Sequence, residues 1–374
     1  VLFKEDGLER LIADKAEQYT GLRPHFASDR MALDSDFRNP AWGAALYHES
    51  QLRLGRFDLS AGLRIDYERT RLCYLSSTDI DCTFGDGRIT PFTERDTLHK
   101  SFVQLLPKAA AVYRINDGNS LYASVAKGYK AGGFNTQMFS DVLQQKMMNE
   151  MGFGTVYDAD KVVSYEPEYS WNYELGGHFS CMEGAVRGDF ALFYIDCRDQ
   201  QLTIFPEGTT TGRMMTNAGR TRSFGGELSL QVSPWQNLDI NAAYGYTNAR
   251  FVRYNDGKTD YKGNYLPYAP QHTLAATGAW TIPTGVQWLG NIVLQAGVRC
   301  AGRIWWNEEN SLSQPFYALT EASLRFEQKH YSVDIWGRNL ADADYNVFYF
   351  KSIGNEFVQR GRPRTFGITL NINL

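Results

Sequence analysis

The chain has 374 residues, carries a formal net charge of −4 and contains no long basic block, so its composition excludes a nucleic-acid footprint. No run of about 20 apolar residues occurs, which excludes membrane-spanning helices and, at a mean hydropathy of −0.40, leaves soluble folds and β-barrels open. Aromatic residues make up 14% of the chain, and these are the side chains from which the interfacial girdles of a membrane barrel are built.

Val1-Leu2-Phe3-Lys4 has none of the features of a signal peptide and reads as the stub of a strand. Gly7 to Tyr19 and Phe139 to Met151 read as short amphipathic helices in long loops, either packing on a barrel mouth or serving as a ligand lid. The remaining signal is strict period-2 alternation. From Phe57 the set Phe57, Leu59, Ala61, Leu63, Ile65 and Tyr67 opposes Asp58, Ser60, Gly62, Arg64, Asp66 and Glu68. A strand places each set on one face, whereas a helix would scatter both.

Thirteen such strands are expected, at 41–54, 57–71, 102–116, 120–134, 167–181, 186–204, 219–233, 238–253, 268–282, 292–306, 316–328, 332–348 and 362–374. Short turns such as Gly55-Arg56 and Asp117-Gly118-Asn119 alternate with long loops at 72–101, 135–166, 205–218, 254–267, 307–315 and 349–361. Outer-membrane barrels show this asymmetry, with short periplasmic turns and long extracellular loops. A soluble sandwich also alternates, but its strands usually run about 5–6 residues. The apolar sets here carry no charge through their middles, as a penalty of about 2–4 kcal/mol for a charge at mid-bilayer requires.

Catalytic patterns are missing: there is no GxSxG, HExxH, P-loop or CxxC. The six histidines are dispersed without metal-ligand spacing. Asp79, Asp81 and Asp86 with Gly85 and Gly87 form a polar loop that fails the calcium-loop spacing. The chain is therefore expected to be no enzyme and to hold no metal or cofactor. Five cysteines exclude a complete disulfide framework. Cys73 and Cys82 flank one loop and are open to pairing or to standing as free thiols, while Cys181, Cys197 and Cys300 read as small apolar fillers in strands.

Six segments in order carry a resemblance. SLYASVAKGYKAGGFN (Ser120 to Asn135), YEPEYSWNYELG (Tyr165 to Gly176), TNAGRTRSFGGELSL (Thr216 to Leu230), YLPYAPQHTL (Tyr265 to Leu274), WGRNLADADY (Trp336 to Tyr345) and GRPRTFGITLNINL (Gly361 to Leu374) resemble the barrel motifs of TonB-dependent outer-membrane receptors. The resemblance implies an all-β, antiparallel transmembrane barrel of 22 strands with a lumenal plug. Thirteen or fourteen strands match its C-terminal portion, so 1–374 is expected to be a barrel domain without plug-like sequence, truncated at its N-terminus. Leu374 departs from the usual terminal aromatic.

The function so implied is active uptake of a scarce ligand across the bacterial outer membrane, energised through the TonB complex. A ferric siderophore or other iron complex is the first expectation; cobalamin, haem or an oligosaccharide are the others. A passive porin-like channel for hydrophobic solutes, or an extracellular β-rich binding protein, would be different classes. Ligand contacts are expected on extracellular loops and upper lumenal walls, where aromatics stack and cations meet anionic groups. The candidates are Lys127, Lys130, Arg220, Arg222, Arg250, Trp305, Trp306 and Tyr349, with Phe348 and Phe350 beside the last. Aromatics there equally suit the girdle, and the basic residues equally suit lipopolysaccharide phosphates.

Overall fold

The computed structural model describes residues 2–3, 25–26, 31–79, 82–84, 87–89, 93–136, 163–204, 214–255, 259–286, 289–352 and 355–372. Both expected helices lie outside these residues, as do Asp81, Gly85 and Asp86. The wall strands are β1 (Met31–Arg38), β2 (Ala41–Leu54), β3 (Phe57–Thr78), β4 (Thr93–Asn116), β5 (Asn119–Lys130), β6 (Glu168–Cys181) and β7 (Val186–Ile204). They continue as β8 (Met214–Trp235), β9 (Leu238–Arg253), β10 (His272–Pro283), β11 (Asn291–Ala301), β12 (Tyr317–Glu327), β13 (Tyr331–Arg338) and β14 (Thr365–Ile372). With the two-residue strand Leu2–Phe3, which pairs with Ala32 and Met31, they form one antiparallel sheet of 15 strands.

β1 and β2 are one wall strand with a break. Both pair with β3 in a single register, Arg38 opposite Cys73 and Ala41 opposite Thr70. Pro40 has no N–H to give the ladder, but its carbonyl still accepts from Arg71 N at 3.0 Å. Thr70 Oγ1 donates to Asn39 Oδ1 at 3.0 Å across the same gap. Every later strand pairs with its sequence neighbours, giving a meander whose short turns share one end and whose long loops share the other. Among the described residues β14 pairs only with β13, and β2 only with β3, so the wall is open.

Alternation becomes two chemically distinct faces. Register puts Leu59, Ile65, Leu105, Leu175, Leu192, Leu228 and Ile335 on one face, which we call outward. On β14 that face is Phe366, Ile368, Leu370 and Ile372, exposed at 71%, 73%, 60% and 62%. Monomeric soluble proteins rarely leave apolar patches beyond a few hundred Å², and here the apolar face runs across the sheet. The opposite face carries the polar set, and we call it lumenal.

Some strand bounds differ from the alternation. β3 and β4 run into the expected loop at 72–101, reaching Thr78 and Thr93. Apolar-out alternation fades there because the strands have left the apolar band, yet Leu72, Tyr74, Ser76 and Thr78 are buried on the lumenal side. The expected strand at 332–348 ends at Arg338. Asn339 and Asp342 take positive φ of 49° and 51°, and Asn339 Nδ2 donates to the carbonyls of Ala343 and Arg362. Asn346–Ser352 then forms a separate hairpin with Asn355–Arg360. The strand at 268–282 begins only at His272, after Tyr268 at φ 61° and Pro270. The strand at 292–306 stops at Ala301, and Ile304–Trp305 pairs with Ser313–Gln314 instead. The strand at 120–134 likewise stops at Lys130, and Gly133–Phe134 pairs with Ser164–Tyr165. Cys73 is a free thiol, and the side chain of Cys82 lies outside the described part.

Candidate functional site

The lumenal face carries ion pairs and hydrogen bonds between neighbouring strands. Lys108 Nζ meets Glu49 Oε2 at 2.6 Å, Arg114 meets Asp58 at 2.7 Å, and Arg299 meets Glu321 at 3.4 Å. Tyr122 donates to Glu174 Oε1 at 2.6 Å, its ring stacked on His178 at 5.7 Å. That ring lies directly over Gly176, where a Cβ would stand 2.6 Å from it. His178, Asp189, Ser229, Gln231, Asn241 and Thr277 line a cleft of about 690 Å³ towards the short-turn end. There Asp189 bonds both His178 Nδ1 and Ser229 Oγ. With the carboxylate in the middle, the histidine cannot take the serine proton, so this is no nucleophilic triad. Among the described residues no group of three or more His, Cys, Asp or Glu side chains converges on a metal-sized site.

At the long-loop end the residues after β9, β11 and β13 fold into one aromatic package. Ala249 and Phe251 at the top of β9 are buried against Tyr254, Tyr261 and Leu266. The Arg250 guanidinium lies 3.7 Å above the Tyr265 ring and donates to Asn248 Oδ1 at 3.0 Å and Gly263 O at 2.7 Å. Tyr265 stacks with Trp305, over which Arg303 sits at 5.3 Å. Tyr268 touches Trp306 and Phe348, both at 5.5 Å, and donates to the Tyr349 carbonyl at 2.9 Å. Burial, and then the Glu356 carboxylate, push the Tyr349 phenol up to about 12.

Four expected site residues, Arg250, Trp305, Trp306 and Tyr349, therefore meet in this package. Trp306 and Tyr349 are its interior, each only 7% exposed. Lys127 stacks on Tyr169 at 5.2 Å, and Lys130 is exposed opposite Glu168. Arg220, Arg222 and Arg250 stand on the outward face, not on the upper lumenal wall. Their parity is that of Phe224, Leu228 and Tyr244, which decides the matter. Arg220 Nε bonds Asp196 at 2.6 Å. Tyr265, Tyr268 and Arg303 were not singled out from sequence, because loop residues show no periodicity. Arg198 and Arg253 were also missed, although Arg198 shares the parity of Leu192 and Tyr194.

Known proteins match this wall. The chain is 25% identical over 321 residues to the pesticin receptor of Yersinia enterocolitica, covering 85% of this chain but 42% of that receptor. It is 23% identical over 269 residues to the metal-pseudopaline receptor CntO of Pseudomonas aeruginosa, covering 71% of this chain and 33% of the relative. It thus spans less than half the length of these relatives. The crystal structure of the ferric yersiniabactin uptake receptor FyuA from Yersinia pestis superimposes with a TM-score of 0.70 at 24% identity, covering 91% of this chain and 47% of that one. The family model described as TonB dependent receptor-like, beta-barrel matches residues 12–340, and the chain belongs to that family.

Proposed function

We propose that this wall serves TonB-dependent uptake of a ferric siderophore or a related metal complex. Membership of the family places it in the outer membrane, its long loops outside and its short turns in the periplasm. One observation carries the cargo reading: proteins similar over most of this chain are named as receptors for metal-pseudopaline and for ferric yersiniabactin uptake, beside the pesticin receptor. Uptake powered through an inner-membrane TonB complex follows from the same kinship.

Supporting the reading, the long-loop end gathers aromatic rings and cations at one mouth, the chemistry that holds a planar, anionic chelate. Trp305 with Arg303, and Lys130 on the lumenal side opposite Glu168, are the ligand contacts we favour. Trp306, Tyr349 and Arg250 act from beneath by fixing the loops, and Lys127, Arg220 and Arg222 belong to the outer wall. The polar lumenal row provides a wetted wall for passage. Growth of gene-positive and gene-deleted cells on single iron sources tests this. Loss of growth on at least one ferric siderophore is expected; unchanged growth on every iron source would overturn the cargo reading.

A further inference from the structure

One place on β2 breaks the chemistry of the outward face. There Leu46, His48, Ser50 and Leu52 stand opposite Ile65, Leu63, Ala61 and Leu59 of β3. His48 and Ser50 are exposed, with His48 Nε2 at 2.8 Å from Ser50 Oγ and no further partner for either among the described residues. Two aromatic pairs bound the apolar band and fix the depth. Phe57 and Tyr113, rings 4.9 Å apart, stand at the short-turn end, and Trp42 and Tyr67, 5.2 Å apart, at the other. Phe57 to Tyr67 is ten residues, as is Val186 to Asp196 on β7. At about 3.4 Å per residue that is roughly 34 Å of strand, or about 25 Å along the membrane normal at a tilt near 45°. An outward apolar band is about 25 Å tall. Counted from Leu54, Ser50 stands about 10 Å up and His48 about 14 Å, on either side of the midplane. At that height the other strands present Leu63, Ala123, Leu175, Leu192, Leu228 and Tyr244.

Hydrocarbon offers an imidazole or a hydroxyl no hydrogen bond, and ionisable side chains inside a membrane face protein or water rather than lipid. The surface beside the pair is shaped for protein. Ser50, Ala61 and Ala109 form a row of small side chains across β2, β3 and β4, with Leu63 above it and Leu52 and Leu59 below. Ala111 and Ala123 extend the low ground across β4 and β5. Small residues let a second backbone approach closely, and polar side chains then bond across the contact.

We infer that this patch is an interface between two copies of the chain, related by a two-fold axis along the membrane normal. The hydrogen-bonding groups identify the occupant as a second copy. Such an axis brings residues of one height together, so the pair meets its own image. Neutral imidazole has one donor and one acceptor nitrogen, and a hydroxyl both donates and accepts. With His48 Nε2–H donating to Ser50 Oγ, the Ser50 hydroxyl is left to donate to Nδ1 of the partner's His48. The partner's Ser50 returns the bond. This ring of four hydrogen bonds satisfies both pairs, which no apolar neighbour does. The interface does not depend on which cargo is carried.

The test uses the full gene product in outer membranes, treated with a short bifunctional thiol reagent. Ala61→Cys should yield a covalent dimer well above the background that the native cysteines give in the original protein. Leu192→Cys, at equal height on β7, should yield that background alone. Energy transfer between separately labelled copies in lipid vesicles then measures how readily the dimer dissociates. Each side-chain bond across a membrane contact contributes about threefold, so losing two in His48→Leu should weaken the dimer about tenfold. His48→Gln, which keeps a donor and an acceptor, should recover most of that. Leucine at this position suits lipid as well as protein, so His48→Leu assembles in either case. No dimer from Ala61→Cys, or cross-linking to a different protein instead, overturns the inference. Equal or tighter association of His48→Leu overturns it as well.

Discussion

Leu192 lies midway up the outward face, opposite Leu175 and Gly226, and is 57% exposed. Were that face in water, Leu192→Arg would change stability by no more than about 0.5 kcal/mol, as for other surface substitutions. In a bilayer the same change costs about 2–4 kcal/mol, since Leu192 is within about one residue of the midpoint between Val186 and Asp196. That is a roughly 30- to 900-fold fall in the folded-to-unfolded ratio. Ala243→Arg, on the lumenal face opposite Ser229 and Ala275 and three residues nearer the short turns in register, should stay within about 0.5 kcal/mol. Denaturant titration of the outer-membrane protein in lipid vesicles, followed by tryptophan fluorescence, separates the two. Equal costs for both variants, or a larger cost for Ala243→Arg, would refute the assignment of faces.

Gly176→Val would push the Tyr122 ring off the strand and break its bond to Glu174. A loss of about 1–3 kcal/mol is expected in the same titration, while Ala242→Val, on the lipid side, should lose less. The Tyr349 phenol, raised to about 12 in the folded loop package, holds its proton more tightly than in an unfolded chain at about 10. Its contribution is complete below pH of about 10 and falls away as pH climbs towards about 12. The hairpin at 346–360 should loosen across that window, read as added proteolysis, and Tyr349→Phe should remove the pH dependence. Produced as a separate polypeptide, residues 1–374 should aggregate, because β2 and β14 leave open sheet edges among the described residues. A monodisperse folded monomer in light scattering would contradict that.

Legibility followed the membrane. Where a strand crosses lipid, one face must be apolar, and the alternation gave the bounds of β2, β7 and β9 to the residue. Above the bilayer nothing enforces that pattern, so β1 went unseen and β3 and β4 came out short. Residues 346–348 of the hairpin are joined to β13 in the sequence reading, and 349–361 reads there as a loop, because the positive φ at Asn339 and Asp342 leaves no trace in hydropathy. At the candidate site the residue types were legible, but their faces were not. Lys127, Arg222 and Arg250 were chosen for charge alone, and only register shows that they share one outward row. Trp306 and Tyr349 read from sequence as aromatics on loops and strand tops open to a ligand, yet loop packing turns them inward.

Uptake of radiolabelled iron from a panel of ferric siderophores, by cells with and without the gene, bears most directly on the function. Accumulation of one or more of these complexes should require both the gene and a functional TonB complex, and should stop when the proton gradient is collapsed. Uptake that persists without TonB, or that is unchanged by deleting the gene for every complex tried, would contradict it.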